Sequence, residues 1–172
     1  MSHQPVIDGL EFARARSRLK GAWPVAEFPR LRDVLRSDAG SLSYELQGEP
    51  EMQGRPALRL RVEGALQLNC QRCLGALEFP VRIDVVLRLA LSQEEADAEP
   101  LDADGPDCIV AGREMAVRAM VEDEVLLAIP IAPRHGSCAD GERMEAGDAT
   151  DARAAKQMPF AGLRGLIGGT KH

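Results

Sequence analysis

The sequence predicts an α+β fold: an antiparallel β-sheet with a central Cys-x-x-Cys hairpin, one long helix packed on it, helices at the N-terminus, a flexible acidic loop and a C-terminal tail. Two observations carry the sheet and a third carries the helix. Leu58, Leu60, Val62, Leu66 and Leu68 recur at period two before Cys70 and Cys73, and Leu77, Phe79, Val81, Ile83 and Val85 do the same after them. Such alternation leaves one face apolar and the other polar, so the two runs read as an antiparallel hairpin with both thiols where the chain reverses, near solvent. In 114–129 the spacing becomes helical, with Val117, Met120, Val121, Glu124, Leu127 and Ala128 on one side and Pro130 as the stop.

The totals bound what surrounds this framework. A chain of 172 residues holds one domain with a proper core and a tail, here 1–138 and 139–172. Hydrophobic residues make up 45% but aromatics only 3%, so the core is built from Leu, Val, Ile, Ala and Met, and stacking platforms for bases are scarce. The net charge of −6 is local: 92–107 holds seven acids and no base, and the remainder is close to neutral. The first ten residues lack the basic start and apolar run of a secretory signal. The longest apolar run, 125–132, contains Pro130 and falls far short of the ~20 residues of a membrane span. A soluble, cytoplasmic protein is the expectation, with no membrane partner and no small-molecule substrate.

Taken in order, 8–36 reads as helical and mildly basic, with Phe12, Ala15, Leu19 and Ala22 as a modest stripe, Gly21 as a stop and Trp23-Pro24 as an extended joint. A second short helix is expected over 30–36. Leu42, Tyr44 and Leu46 then make a strand, 48–54 a loop, and the hairpin follows, its second strand running to about Leu91. The acidic loop 92–107, with Pro100 and Pro106, repels itself and buries too little to order. Cys108-Ile109-Val110 is a short strand before the long helix. Within that helix Glu122, Asp123 and Glu124 are adjacent, and the roughly 100° rotation per residue prevents them from converging on one ion. Glu124 falls beside the apolar stripe, while Glu122 and Asp123 point elsewhere. From 139 to 157 the chain is polar and small, and 158–167 is an apolar docking motif in which Phe160, Leu163 and Ile167 share helical spacing.

Cys70 and Cys73 have the spacing with which two thiolates bind one tetrahedral zinc from a knuckle-like turn. Two further ligands are required, and His135 with Cys138 forms a second close pair, Cys108 being a spare thiol. The competing enzymatic reading is a thiol-disulfide oxidoreductase. It needs the pair at a helix N-terminus, whereas here Leu74-Gly75 and a strand follow. No phosphate loop, nucleophile elbow or His-Glu-x-x-His is present, so no catalytic constellation is expected.

Three separated stretches resemble one family: Leu68-Asn69-Cys70-Gln71-Arg72-Cys73, then Met120-Val121-Glu122-Asp123-Glu124-Val125-Leu126-Leu127-Ala128-Ile129-Pro130, then Met158-Pro159-Phe160-Ala161-Gly162-Leu163. In this order, with the acidic stretch between the first two, they resemble the bacterial YceD family, the large ribosomal RNA subunit accumulation proteins. The resemblance implies a non-enzymatic factor in synthesis, processing or stability of 23S ribosomal RNA, with ribosomal assembly intermediates, ribosomal RNA or a basic ribosomal protein as partners. An adaptor or chaperone built on a zinc knuckle is the alternative. Two mechanisms follow from the charge pattern. Either the basic N-terminal region and Arg72 touch ribosomal RNA directly, or the acidic loop and the apolar motif hold a basic protein and the effect on RNA is indirect. The overall acidity favours the second. Arg72, Glu122, Glu124, Phe160 and Leu163 are the candidate binding residues.

Overall fold

The computed structural model describes residues 4–52, 54–98 and 105–137. In chain order the elements are β1 (Val6–Ile7), α1 (Gly9–Arg14), β2 (Arg18–Pro24), β3 (Ser41–Met52), β4 (Arg55–Asn69), β5 (Ala76–Ala90), α2 (Gln93–Asp97), β6 (Cys108–Val110), β7 (Met115–Ala116) and α3 (Val117–Ala128). Short 3-10 turns at Val25–Glu27 and Leu31–Asp33 join β2 to β3. Five strands form one sheet in the order β2-β3-β4-β5-β6, and β1 pairs with β7 in a second, two-stranded one.

The hairpin is as the alternation requires. β4 and β5 pair from Ala57 opposite Arg88 down to Asn69 opposite Ala76. Leu58, Leu60, Val62, Leu66 and Leu68 are buried on one face, with Val81, Ile83, Leu87 and Leu89 beside them. The residues between them turn to the other face, where Arg59, Arg61 and Asp84 form ion pairs across the two strands. Burial of side chains of this size, at about 1.5–3 kcal/mol each, fixes the register, because a one-residue slip would turn the whole set to water.

The core is closed on that face by the helices and by the β2–β3 connection. Val117, Val121 and Val125 of α3 are buried, as are Ala13 of α1 and Val25, Phe28 and Leu31 of the connection. Asp8 caps α1 by accepting from the Glu11 N–H at 3.0 Å. Trp23 stacks on Tyr44, ring centroids 4.2 Å apart, and meets Phe28 edge-on at 6.1 Å.

Five expectations are corrected. The sheet is not purely antiparallel: β6 runs parallel to β5, with Arg88 opposite Cys108. The N-terminal region is helical only over Gly9–Arg14. Arg18–Pro24 is a strand paired with β3, and 30–36 holds only a 3-10 turn. Leu19 and Trp23 lie four apart, which fits a helical face and alternate strand positions equally. Pairing with β3 decides between them, placing Leu19 opposite Leu46 and Trp23 opposite Leu42. The expected loop over 48–54 is mostly strand, since β3 continues to Met52. The acidic stretch is partly ordered, because Ser92 caps α2 through the Glu95 N–H and Glu95 reaches Arg55 at 2.7 Å. Finally, α3 begins at Val117, after β7, and is rotated from the expected stripe: Glu122 is buried and Leu127 is 75% exposed.

Candidate metal centre at the hairpin tip

β4 ends at Asn69, and the reversal is closed by two backbone bonds. The Cys70 N–H donates to the Gly75 carbonyl and the Leu74 N–H to the Cys70 carbonyl, both at 2.9 Å. Leu74 takes a left-handed backbone conformation with φ 56°, a strain of about 1 kcal/mol for a non-glycine residue. It is also 72% exposed, so neither backbone preference nor burial accounts for a leucine there.

The loop after α3 returns to this tip. The Pro133 carbonyl accepts from the Gln71 N–H at 2.8 Å, which brings His135 alongside the thiols. One ligand atom from each of Cys70, Cys73 and His135 lies within 4.8 Å of the others, Cys70 buried, Cys73 exposed and His135 between these extremes. The hydrogen bonds fix the imidazole tautomer. His135 Nε2 is 2.8 Å from the Ala76 carbonyl, which can only accept, so Nε2 carries the proton and donates. Nδ1 then presents a lone pair toward Cys73 Sγ at 3.4 Å. A carbonyl that orients a ligating histidine in this way is the usual outer support of a zinc site. Two thiols and one imidazole with its metal-facing nitrogen deprotonated fit zinc in chemistry and in spacing.

On the other side, Arg36 braces the tip. Its guanidinium donates to Asn69 Oδ1 at 2.9 Å and to the Leu74 carbonyl at 3.2 Å, and its N–H donates to the Gln67 carbonyl at 2.7 Å. Neither Arg36 nor Pro133 stands out in the sequence as part of the site. Each is brought there by chain distant from the Cys-x-x-Cys, and only the fold discloses them. Arg72, Leu74 and Arg134 are exposed around the thiols.

The remaining predicted site residues fall elsewhere. Cys138, Phe160 and Leu163 lie outside the described residues. Cys108 is on β6 and is not part of the thiol cluster. Glu122 is 5% exposed and serves the fold: its carboxylate accepts from the Arg30 N–H at 2.7 Å and from Arg30 Nε at 3.0 Å, while Asp123 takes the same guanidinium at 2.6 Å. Glu124 is half-buried, and burial, followed by the nearby Asp107 and Asp123, pushes its carboxyl above the usual range. Glu122 and Asp123 thus share one guanidinium, and among the described residues the three acids form no metal-ligand cluster.

A family model described as large ribosomal RNA subunit accumulation protein YceD matches residues 58–167, which include most of the hairpin, α3 and the metal-ligand cluster. No solved structure matches the chain. With more than half of its length matched, the chain belongs to the YceD family of large ribosomal RNA subunit accumulation proteins, non-enzymatic factors of large-subunit biogenesis.

Proposed function

We propose that this protein supports 23S ribosomal RNA accumulation by binding large-subunit RNA through the hairpin tip, with a zinc ion on Cys70, Cys73 and His135 holding the tip in its binding shape. The observation that carries this reading is the convergence of the three donors within 4.8 Å at a tip whose exposed neighbours are cationic and apolar. Arg72 and Arg134 would meet phosphates, and the Leu74 side chain offers a base an apolar contact. Cys138, three residues after His135, is the fourth ligand in this proposal. Few aromatics and a net charge of −6 predict modest affinity, with a shallow salt dependence set by the few phosphate contacts. The domain from 1 to 138 carries the site, and Phe160 and Leu163 would add an apolar partner contact from the remainder of the chain. Such a factor works in the cytoplasm, where ribosomes are assembled.

The experiment is metal analysis of the purified chain combined with titration of 23S RNA fragments at several salt concentrations. One zinc per chain is expected, lost on Cys73→Ser. Arg72→Ala and Arg134→Ala are each expected to lower the salt slope by about one. A metal-free wild-type protein whose RNA binding ignores all three substitutions would overturn the proposal. The exposed acids of α2 support a second reading, capture of a basic ribosomal protein. In that case Glu94→Gln with Asp97→Asn would weaken protein capture and leave RNA binding unharmed.

A further inference from the structure

Backbone geometry singles out one residue of the tip. Among the described residues only Arg16 and Leu74 take a positive φ without being glycine, at 51° and 56°. A left-handed conformation presses Cβ on the following carbonyl, so glycine or asparagine is the ordinary occupant. Arg16 is exposed on a turn, where water suits its charged side chain. Leu74 combines two unfavourable features, the left-handed backbone and an apolar side chain 72% exposed. Leu91 and Leu127 are as exposed, at 68% and 75%, but neither has a positive φ. Leucines of that kind, scattered singly, are common on protein surfaces and call for no explanation.

The fold holds residue 74 in this state from both of its peptide groups. Its N–H donates to the Cys70 carbonyl at 2.9 Å, and its carbonyl accepts from the Arg36 guanidinium at 3.2 Å. Gly75, next in the chain, accepts from the Cys70 N–H at 2.9 Å. Strain that persists because its surroundings over-determine it is a mark of functional sites. Here it fixes an apolar side chain at the tip before any partner arrives.

The charge around that side chain selects the partner. Residues 69–76 and 131–137, which meet at the tip, hold two arginines and no acid in a chain of net charge −6. The bond from the Gln71 N–H to the Pro133 carbonyl brings Arg134 beside the turn, and Arg72 and Arg134 are both exposed. Leucine framed by guanidinium groups suits RNA better than a basic protein, which the same cations repel. Paired A-form RNA presents phosphates, ribose hydroxyls and a shallow polar minor groove, and leucine gains little from these. It gains when it covers the face of a base that has left the stack.

We infer that Leu74 is the specificity-determining residue of the tip, covering the face of an unstacked base so that bulged or looped RNA is preferred to continuous duplex. This rests on the RNA-binding reading above and names the class of RNA. Arg72 and Arg134 meet the phosphates of either form, and Leu74 tells the two forms apart.

Titration of the purified full chain with a fully paired RNA hairpin, and with the same hairpin carrying a single bulged adenosine, tests this. The bulged form is expected to bind about tenfold more tightly, the least that withdrawing a leucine side chain from water confers. Leu74→Gly is expected to abolish that preference with zinc content and thermal midpoint no lower than in the wild type, because glycine adopts the left-handed turn without strain. Leu74→Met, which keeps an apolar contact, retains the preference. Leu91→Ala, just past the other end of β5, leaves it unaltered. Wild-type protein that binds neither RNA would overturn the RNA-binding reading and this inference together. Equal binding of the two RNAs by the wild type, or a thermal midpoint lowered by Leu74→Gly, would overturn this inference alone. So would a preference that survives Leu74→Gly, which would leave the leucine to a protein partner.

Discussion

Two carboxylates met by arginines do different work. Glu122 lies within the protein and ties α3 to the Arg30 backbone, so its effect is on the placement of a helix. Asp84 lies on the exposed sheet face, where hydrogen bonds from Arg59 and then Arg61, with their charges, hold its carboxyl down to about 2. A depressed carboxylate stabilises the fold above its unfolded value near ~4 and loses that contribution as the pH falls toward the folded value. Acid unfolding of the wild type should therefore have a component between those two values that Asp84→Asn removes, giving a flatter plot of stability against pH over that window. Because Asp84 is well exposed, the change is small at neutral pH. The sequence disclosed Cys70, Cys73 and His135 as candidate ligands by type and spacing. It could not disclose that Glu122 is the buried acid of its triplet, since that depends on where Arg30, 92 residues away, delivers an N–H.

At the scale of elements, the hairpin was legible because period-two alternation over long runs has a single physical solution. The N-terminal region was not, because Leu19 and Trp23 satisfy two periods at once. The α3 stripe was legible in length and stop but misplaced in rotation: Val117, Val121 and Val125 face the core together with the buried Glu122 carboxylate, and Leu127 is exposed. Close approach of α1 to β3 gives a sharper test of how elements meet. A Cβ at Gly48 would overlap the Phe12 carbonyl oxygen and come within 2.8 Å of the Ala13 Cα. Gly48→Ala should therefore push α1 off the sheet and cost about 2 kcal/mol or more in denaturant unfolding.

For the whole molecule, the α+β class and the helix on the sheet follow from the sequence, whereas the parallel β6 does not. A parallel neighbour depends on a crossover through the acidic stretch, and charge composition alone does not foretell one. The family match starts at residue 58, within β4, although β3 pairs with β4 from Leu42 opposite Gly64 to Met52 opposite Arg55. The match is thus no boundary for folding. A chain begun at residue 58 would lack Leu42, Leu46, Val25, Phe28 and Leu31 from the core and is expected to show no cooperative thermal transition, whereas the full chain shows one. The stacked ring pair also has an optical consequence. Trp23 is the single indole of the sequence, 7% exposed and held against Tyr44, so intrinsic fluorescence reports one place, the packing of β2 on β3. A chelator that removes the proposed zinc and only loosens the thiol tip would leave that emission where it is, and loss of the sheet would move it to the red, so one cuvette would separate the two.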